Sequence, residues 1–321
     1  MMTVILIALA AGLASATMFA SIVSGAIAAL LLFYLAPLPL MVAALGWGST
    51  AGLLGGLFAS AGLFALFGFS YMAAFALTIA LPAWWLGHLA LLARPVSNDP
   101  QLAGLSPALD WYPIGRILIW AVVFASVTTF CALLTLGSDD TAINAGLRRG
   151  LEVVMGGRTA GSPQGDRDRV LDILVSIAPG AATIIAIMTL TFNLWLAAKI
   201  TAMSGRLRRP WPDLRTTTLP KMAMAALAAA LALSFAGGIV AIAGQVVSSA
   251  LMMVYAMTGF ATLHTLMQAF SGRSFVLGSV YAATLFIGWP LIGMMSLGLA
   301  DAIFGIRQNY WIRRGPPAPS S

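Results

Sequence analysis

Residues 1–93 read MMTVILIALAAGLASATMFASIVSGAIAALLLFYLAPLPLMVAALGWGSTAGLLGGLFASAGLFALFGFSYMAAFALTIALPAWWLGHLALLA. They contain no Asp, Glu, Lys or Arg, and the first charged side chain is Arg94. A water-soluble domain draws most of its exterior from those four residue types, so no soluble fold accommodates the stretch. One helical crossing of a bilayer needs roughly 20 apolar residues, and this segment supplies several in succession. The chain reads as an all-α, polytopic transmembrane helical bundle.

The rest of the sequence agrees. It is 60% apolar and 8% charged, against about 25% charged in ordinary soluble domains. Apolar runs of about 18 or more residues point to spanning helices, not to the alternating segments of a membrane β-barrel. The net charge of +7 sits between or beside the apolar runs. Positive-inside asymmetry and anionic headgroups account for it there. The lipid bilayer is therefore the expected partner, and nucleic acid is not. Cys131 is the single cysteine and has no internal partner for a disulfide. Ala14-Ser15-Ala16 resembles a signal-cleavage site, but Met1-Met2-Thr3 lacks a positive n-region. The first span is expected to be retained.

Apolar segments fall at 3–20, 22–47, 50–69, 71–93, 113–137, 170–201, 219–243, 245–270 and 276–302. Pro37 and Pro39 break the second, so eight or nine spans are both compatible with the pattern. Pro82 is expected to kink the fourth, and Pro179-Gly180 to mark where an interfacial lead-in becomes a spanning helix. Residues 1–303 read as a single integral membrane domain. Within it, 138–168 form a short amphipathic surface helix and a Gly-rich hinge. The helix is capped by Ser138 or Asp139 and carries Ile143, Leu147, Leu151 and Val154 on one face. Residues 304–321 read as a basic, Pro-rich disordered tail. The dense basic loop at 199–221 should be cytoplasmic. Nine crossings then place the N-terminus inside, and 138–168 and the tail outside, against the charge rule in both outside segments.

Gly48, Gly52 and Gly56 recur every four residues, as do Ala8, Gly12 and Ala16. Such stripes let a neighbouring backbone approach closely, either within the bundle or in another protein. No phosphate-loop motif is present, and Lys199 and Lys221 are the only lysines. Zincin and nucleophile-elbow motifs are missing too. No cofactor, metal site or catalytic residue is expected. The intramembrane polar residues that remain are Asn193, Gln245 and His264, which are candidates to line a ligand cavity. Interhelical hydrogen bonding is the alternative for Asn193. Asp301 and Arg307 are six residues apart, beyond an i,i+4 pair, and read as membrane-boundary markers.

Several short motifs occur in order: Ala36-Pro37-Leu38-Pro39 with Gly46 and Gly48, Ala178-Pro179-Gly180 with Asn193-Leu194, Gly259 to His264, and Leu297 to Asp301 with Arg307. On these the chain resembles the YybS-like family, a group of bacterial polytopic membrane proteins of unknown function. It departs from that pattern at Gly46-Trp47-Gly48, where an Arg-His-Gly-like step is expected. The family is distantly similar to the substrate-binding components of energy-coupling-factor transporters. The resemblance implies a bacterial inner-membrane location, no ATPase of its own, a cavity between helices, and separate energising or scaffold membrane subunits. The expectation is a small-molecule carrier or carrier subunit. The alternative is a non-enzymatic scaffold of envelope assembly.

Overall fold

Prolines and glycines set the helix boundaries in this computed structural model, which describes residues 1–95, 109–155 and 164–314. Helix α1 spans Met2–Ala20. It is followed by α2 (Ile27–Leu35), α3 (Pro37–Trp47), α4 (Ser49–Phe67), α5 (Phe69–Phe75) and α6 (Leu81–Ala90). Two short antiparallel strands, β1 (Ala93–Pro95) and β2 (Leu109–Trp111), pair Arg94 with Asp110 in register, and the two side chains form an ion pair. Then come α7 (Ile114–Leu134), α8 (Asp140–Met155) and α9 (Gln164–Met203). The chain closes with α10 (Met222–Leu233), α11 (Gly238–Leu266), α12 (Arg273–Phe286), α13 (Pro290–Phe304) and α14 (Ile306–Arg314).

Among the described residues seven helical segments are long and apolar enough to cross a membrane, and eight if α12 and α13 count as one span bent by 120°. Nine are not reached, for two reasons. The segment read at 219–243 holds only the 12-residue α10, because the break falls at Gly237-Gly238, both with positive φ. The segment read at 276–302 is the bent pair. Pro37 does not split the second segment, since α2 and α3 together make one 21-residue span. A π-helical turn at Ala76–Ala80 precedes Pro82, a known adjustment where a proline strips the ladder of a donor. Pro179 lies inside α9, which continues through it without interruption.

The described residues divide into two compact units, those within 1–121 and 188–214, and those within 122–187 and 215–314. In the first, small residues line the closest helix contacts and many large apolar ones face outward, while Leu40, Met41, Phe75 and Leu86 are buried. Ala8, Ala44 and Ala51 are inaccessible, while Leu13, Leu57 and Leu66 are mostly exposed. That arrangement suits hydrocarbon, where lipid is as apolar as leucine and close backbone packing supplies the attraction. A Cβ added at Gly12 would lie 2.4 Å from the Gly55 carbonyl oxygen, and one at Gly55 2.9 Å from that of Ala8. Gly52 meets Ala44, and Gly56 meets Ala80. Two members of the expected stripes behave differently. Gly48 has φ +103° at the junction of α3 and α4, so its role is conformational. Ala16 lies off the buried face of α1, which is Ala8, Gly12, Ser15 and Phe19.

In the second unit, α11 and α13 cross at glycines. A Cβ on Gly259 would sit 1.8 Å from the Met294 carbonyl, and one on Gly298 2.0 Å from that of Tyr255. Helix α8 starts as the sequence implies, with Asp139 Oδ1 accepting the Ala142 N–H at 2.8 Å. Its apolar face packs within the unit: Ile143 and Leu147 join Leu133, Ile242 and Val246. Val154 departs from that face and is largely exposed. On the polar side Arg148 pairs with Glu152 and with Asp168 and Asp172 of α9. The hinge at 156–163 and residues 315–321 lie outside the described residues. The part of the tail at 306–314 is helical, not irregular.

These contacts order the tolerance of glycines. Gly55→Leu and Gly259→Ala should each lower stability by about 1–3 kcal/mol or more, because each forces two backbones apart. Gly62→Leu, with nothing within 4 Å of its Cβ, should be near neutral. Thermal unfolding in detergent measures all three, and equal losses would contradict the packing.

Candidate functional site

Polar side chains within the spans point first to backbone carbonyls beside prolines. In hydrocarbon no water serves a backbone carbonyl that its helix leaves open. Asn193, 1% exposed on α9, donates Nδ2 to the carbonyls of Tyr34 and Thr189, both at 2.8 Å. Tyr34 lies just before the α2–α3 break, and Ser15 Oγ donates to Ala36 in that break at 2.6 Å. The Ala36-Pro37-Leu38-Pro39 motif and Asn193 are thus neighbours within the first unit. The Asn193 Oδ1 is buried and has no partner. Gln245 does the same work in the second unit, donating Nε2 to Ser176 at 2.6 Å, three residues before Pro179.

His264 belongs to the second unit. Its Nε2 lies 2.9 Å from the Tyr281 hydroxyl, and Phe260 stacks on the same tyrosine ring at 5.0 Å. Thr262 and Thr265, its buried neighbours, return their hydroxyls to the carbonyls of Thr258 and Ala261. Gln245 and His264 sit 19 residues apart on α11, about 28 Å along the axis, so one small ligand cannot touch both. Asn193 belongs to the first unit.

Asp301 and Arg307 do pair, contrary to the sequence spacing. The spacing rule applies to one continuous helix, and Gly305 ends α13 at φ +61°. The chain turns back there. Arg307 donates Nε to Asp301 Oδ2 and its backbone N–H to Oδ1, both at 2.8 Å. Both side chains are buried, 4% and 7% exposed. The remaining guanidinium arm donates to the Arg215 carbonyl at 2.7 Å, joining the end of the basic loop to the C-terminal helix.

The first unit gathers cations over tryptophans where its helices end. Arg206 lies 4.5 Å from the Trp47 ring centroid, Lys199 5.2 Å from Trp211, and Arg209 6.0 Å from Trp111. Arg209 also donates Nη1 to Ala90, the last residue of α6, at 3.3 Å. Its Nε is buried without a partner, and burial holds its guanidinium below the ordinary arginine range. Trp84, Trp85, His88 and Trp120 pack ring to ring in the same unit. The sequence signal for this platform was a tryptophan beside each loop that carries or meets an unpaired cation, a pattern legible only once the loops are placed.

A groove of about 540 Å³ opens between α1 and α4. Leu9, Leu13, Ala16, Phe58, Gly62 and Leu66 are among the residues that form it. Its one hydroxyl, on Thr17, is turned to the carbonyls of Leu13 and Ala14. This volume falls within the roughly 300–1,000 Å³ of small-ligand sites. Among the described residues no group of His, Cys, Asp and Glu could hold a metal ion. No family model, no curated protein and no solved structure matches the chain.

The buried ion pair gives a measurable asymmetry. Asp301→Asn should cost about 3–5 kcal/mol, since it leaves the Arg307 charge buried and uncompensated. Replacing both partners with apolar residues of similar volume should cost far less. Unfolding of the two variants in detergent measures the difference; a single variant as stable as the double would show that the pair is not desolvated.

Proposed function

We propose that this chain is a multi-pass inner-membrane protein that binds a lipid-class molecule, as a carrier or substrate-binding carrier subunit without its own ATPase. The groove between α1 and α4 carries the reading. Its lining is apolar and its open side lies on the outward face of two spanning helices, so its occupant arrives from the bilayer and not from water. From Leu9 to Ala20 it runs about 17 Å, close to half of a hydrocarbon core of roughly 30 Å. That length fits one acyl or isoprenoid chain of a single leaflet. A partner's spanning helix, which the scaffold reading requires, would need the full thickness. The stripe of Ala8 and Gly12 is occupied by Gly55 of the same unit, which also weighs against that stripe as a docking face for another subunit.

The proposed orientation concerns the first six spans, through α9. The ends of α3, α6 and α9 and the start of α7 meet at the tryptophan platform. That is the arrangement expected if each of the first six spans crosses. The basic loop that follows α9 is then cytoplasmic by the positive-inside rule, together with the N-terminus. Helix α8 falls outside, with Arg148 offset by three carboxylates.

Two experiments test these proposals. Gly62→Leu should fill the groove without disturbing the fold. Native mass spectrometry should then show a lipid adduct on the parent protein that the variant loses at unchanged thermal stability; an adduct retained in full would rule the groove out. For topology, single cysteines placed at Arg206 and Ser138 in a Cys131→Ala background should respectively resist and accept an impermeant thiol reagent in intact cells. Labelling of 206 but not 138 would overturn the orientation.

A further inference from the structure

We infer that Arg206, Arg209 and Lys199, held by Trp47, Trp111 and Trp211, form a binding site for the phosphate of an anionic phospholipid. This site is separate from the groove between α1 and α4 and does not depend on what fills it. Its place in the fold comes first. It is built where α3, α6 and α9 end and where β2 leads into α7, at the depth of the headgroups on that side of the bilayer. An anion that meets it there is a lipid phosphate, and clusters of Lys and Arg beside spans attract anionic lipid.

The charge state of the cluster is the second argument. Among the described residues no carboxylate lies within ion-pair distance of Lys199, Arg206, Arg208 or Arg209. Three arginines elsewhere in the chain are paired, Arg94 with Asp110, Arg148 with three carboxylates and Arg307 with Asp301. The platform replaces the carboxylate with ring faces. A guanidinium over a ring keeps its N–H edge free, and that planar edge matches two phosphate oxygens.

The third argument is how firmly the cations are placed. Arg206 packs its stem against Gly46, and its backbone N–H and that of Leu207 both donate to the Thr201 carbonyl. Arg209 reaches the α6 terminus through Ala90, and its buried Nε still lacks an acceptor. Burial that weakens its hold on the proton is relieved by an anion beside it. The two arginines are three residues apart on a loop anchored at both, so one headgroup, or the two phosphates of a dimeric lipid, can engage them together.

The experiment uses the full chain in nanodiscs of phosphatidylcholine with and without phosphatidylglycerol. Bound lipid is counted by native mass spectrometry, and folding is followed by circular dichroism and size exclusion. The parent protein should retain phosphatidylglycerol over phosphatidylcholine. Arg206→Gln should weaken that preference, and the Arg206→Gln/Arg209→Gln pair should weaken it by about tenfold or more, at roughly a kcal/mol per cation. Arg313→Gln, exposed on α14, should leave it unchanged. Because Arg206 is exposed, its single variant keeps the test valid if the double variant fails to fold. Equal retention in all variants, or an equal loss in Arg313→Gln, would overturn the site in favour of diffuse charge. Displacement of the lipid by inorganic phosphate would overturn the lipid as its ligand and identify a soluble anion instead.

Discussion

In the hydrocarbon core every backbone carbonyl needs a donor from the protein itself, and the helix contacts of this structure are registered by side chains that supply one. Pro37 and Pro39 sit in the first turn of α3 and Pro179 inside α9. The polar side chains that survive in the spans are aimed at the carbonyls around them. Asn193 reaches Tyr34, Ser15 reaches Ala36, and Gln245 reaches Ser176. Each bond is modest, about 0.6 kcal/mol on average in membranes, but each also pins one helix to another at a defined height. The few neutral polar groups therefore act as registers for the bundle. The unpartnered Oδ1 of Asn193 is the exception, and it shows that one amide has more hydrogen-bonding capacity than the packing uses.

Between these registers the helices approach through glycine. Gly12 against Gly55, and Gly259 against Gly298, bring backbones so close that a single methyl group has no room. Alanine and glycine occupy the crossings, and many leucines turn outward to lipid. That arrangement also creates the groove. Where α1 and α4 diverge beyond Gly12 and Gly55, small residues at Ala16 and Gly62 leave a channel that leucines and phenylalanines flank but do not fill.

Charge is kept to the ends of the helices and is treated in two ways. The single buried pair, Asp301 with Arg307, is fully enclosed and satisfied, and through Arg215 it fastens the C-terminal helix to the basic loop. The cations over tryptophan are left without counter-charges at the interface. A protein that neutralises Arg307 so completely, while leaving Arg206 and Arg209 to aromatic rings, treats the second group as a surface for an anion supplied by the membrane.

Composition and periodicity alone determined the solvent, the helical class and most span positions, because the cost of charge and of unpaired backbone in a bilayer is written directly in residue type. They also marked Asn193, Gln245 and His264 as the polar residues to account for, and the start of α8 at Asp139. Tertiary structure decided what these residues meet. The reach of Asn193 to Tyr34 joins positions 159 apart in the chain, a separation no local pattern encodes. The pairing of Asp301 with Arg307 depended on a left-handed glycine that reverses the chain, so a spacing rule for one continuous helix failed there. Gly55, outside the four-residue repeat of Gly48, Gly52 and Gly56, proved the closest point of α4 to α1, because the facing stripe is set by the crossing of two helices and not by the repeat in one. The cation platform was invisible for the same reason: its tryptophans and arginines come from separate helix ends, and only the fold brings them to one level of the membrane.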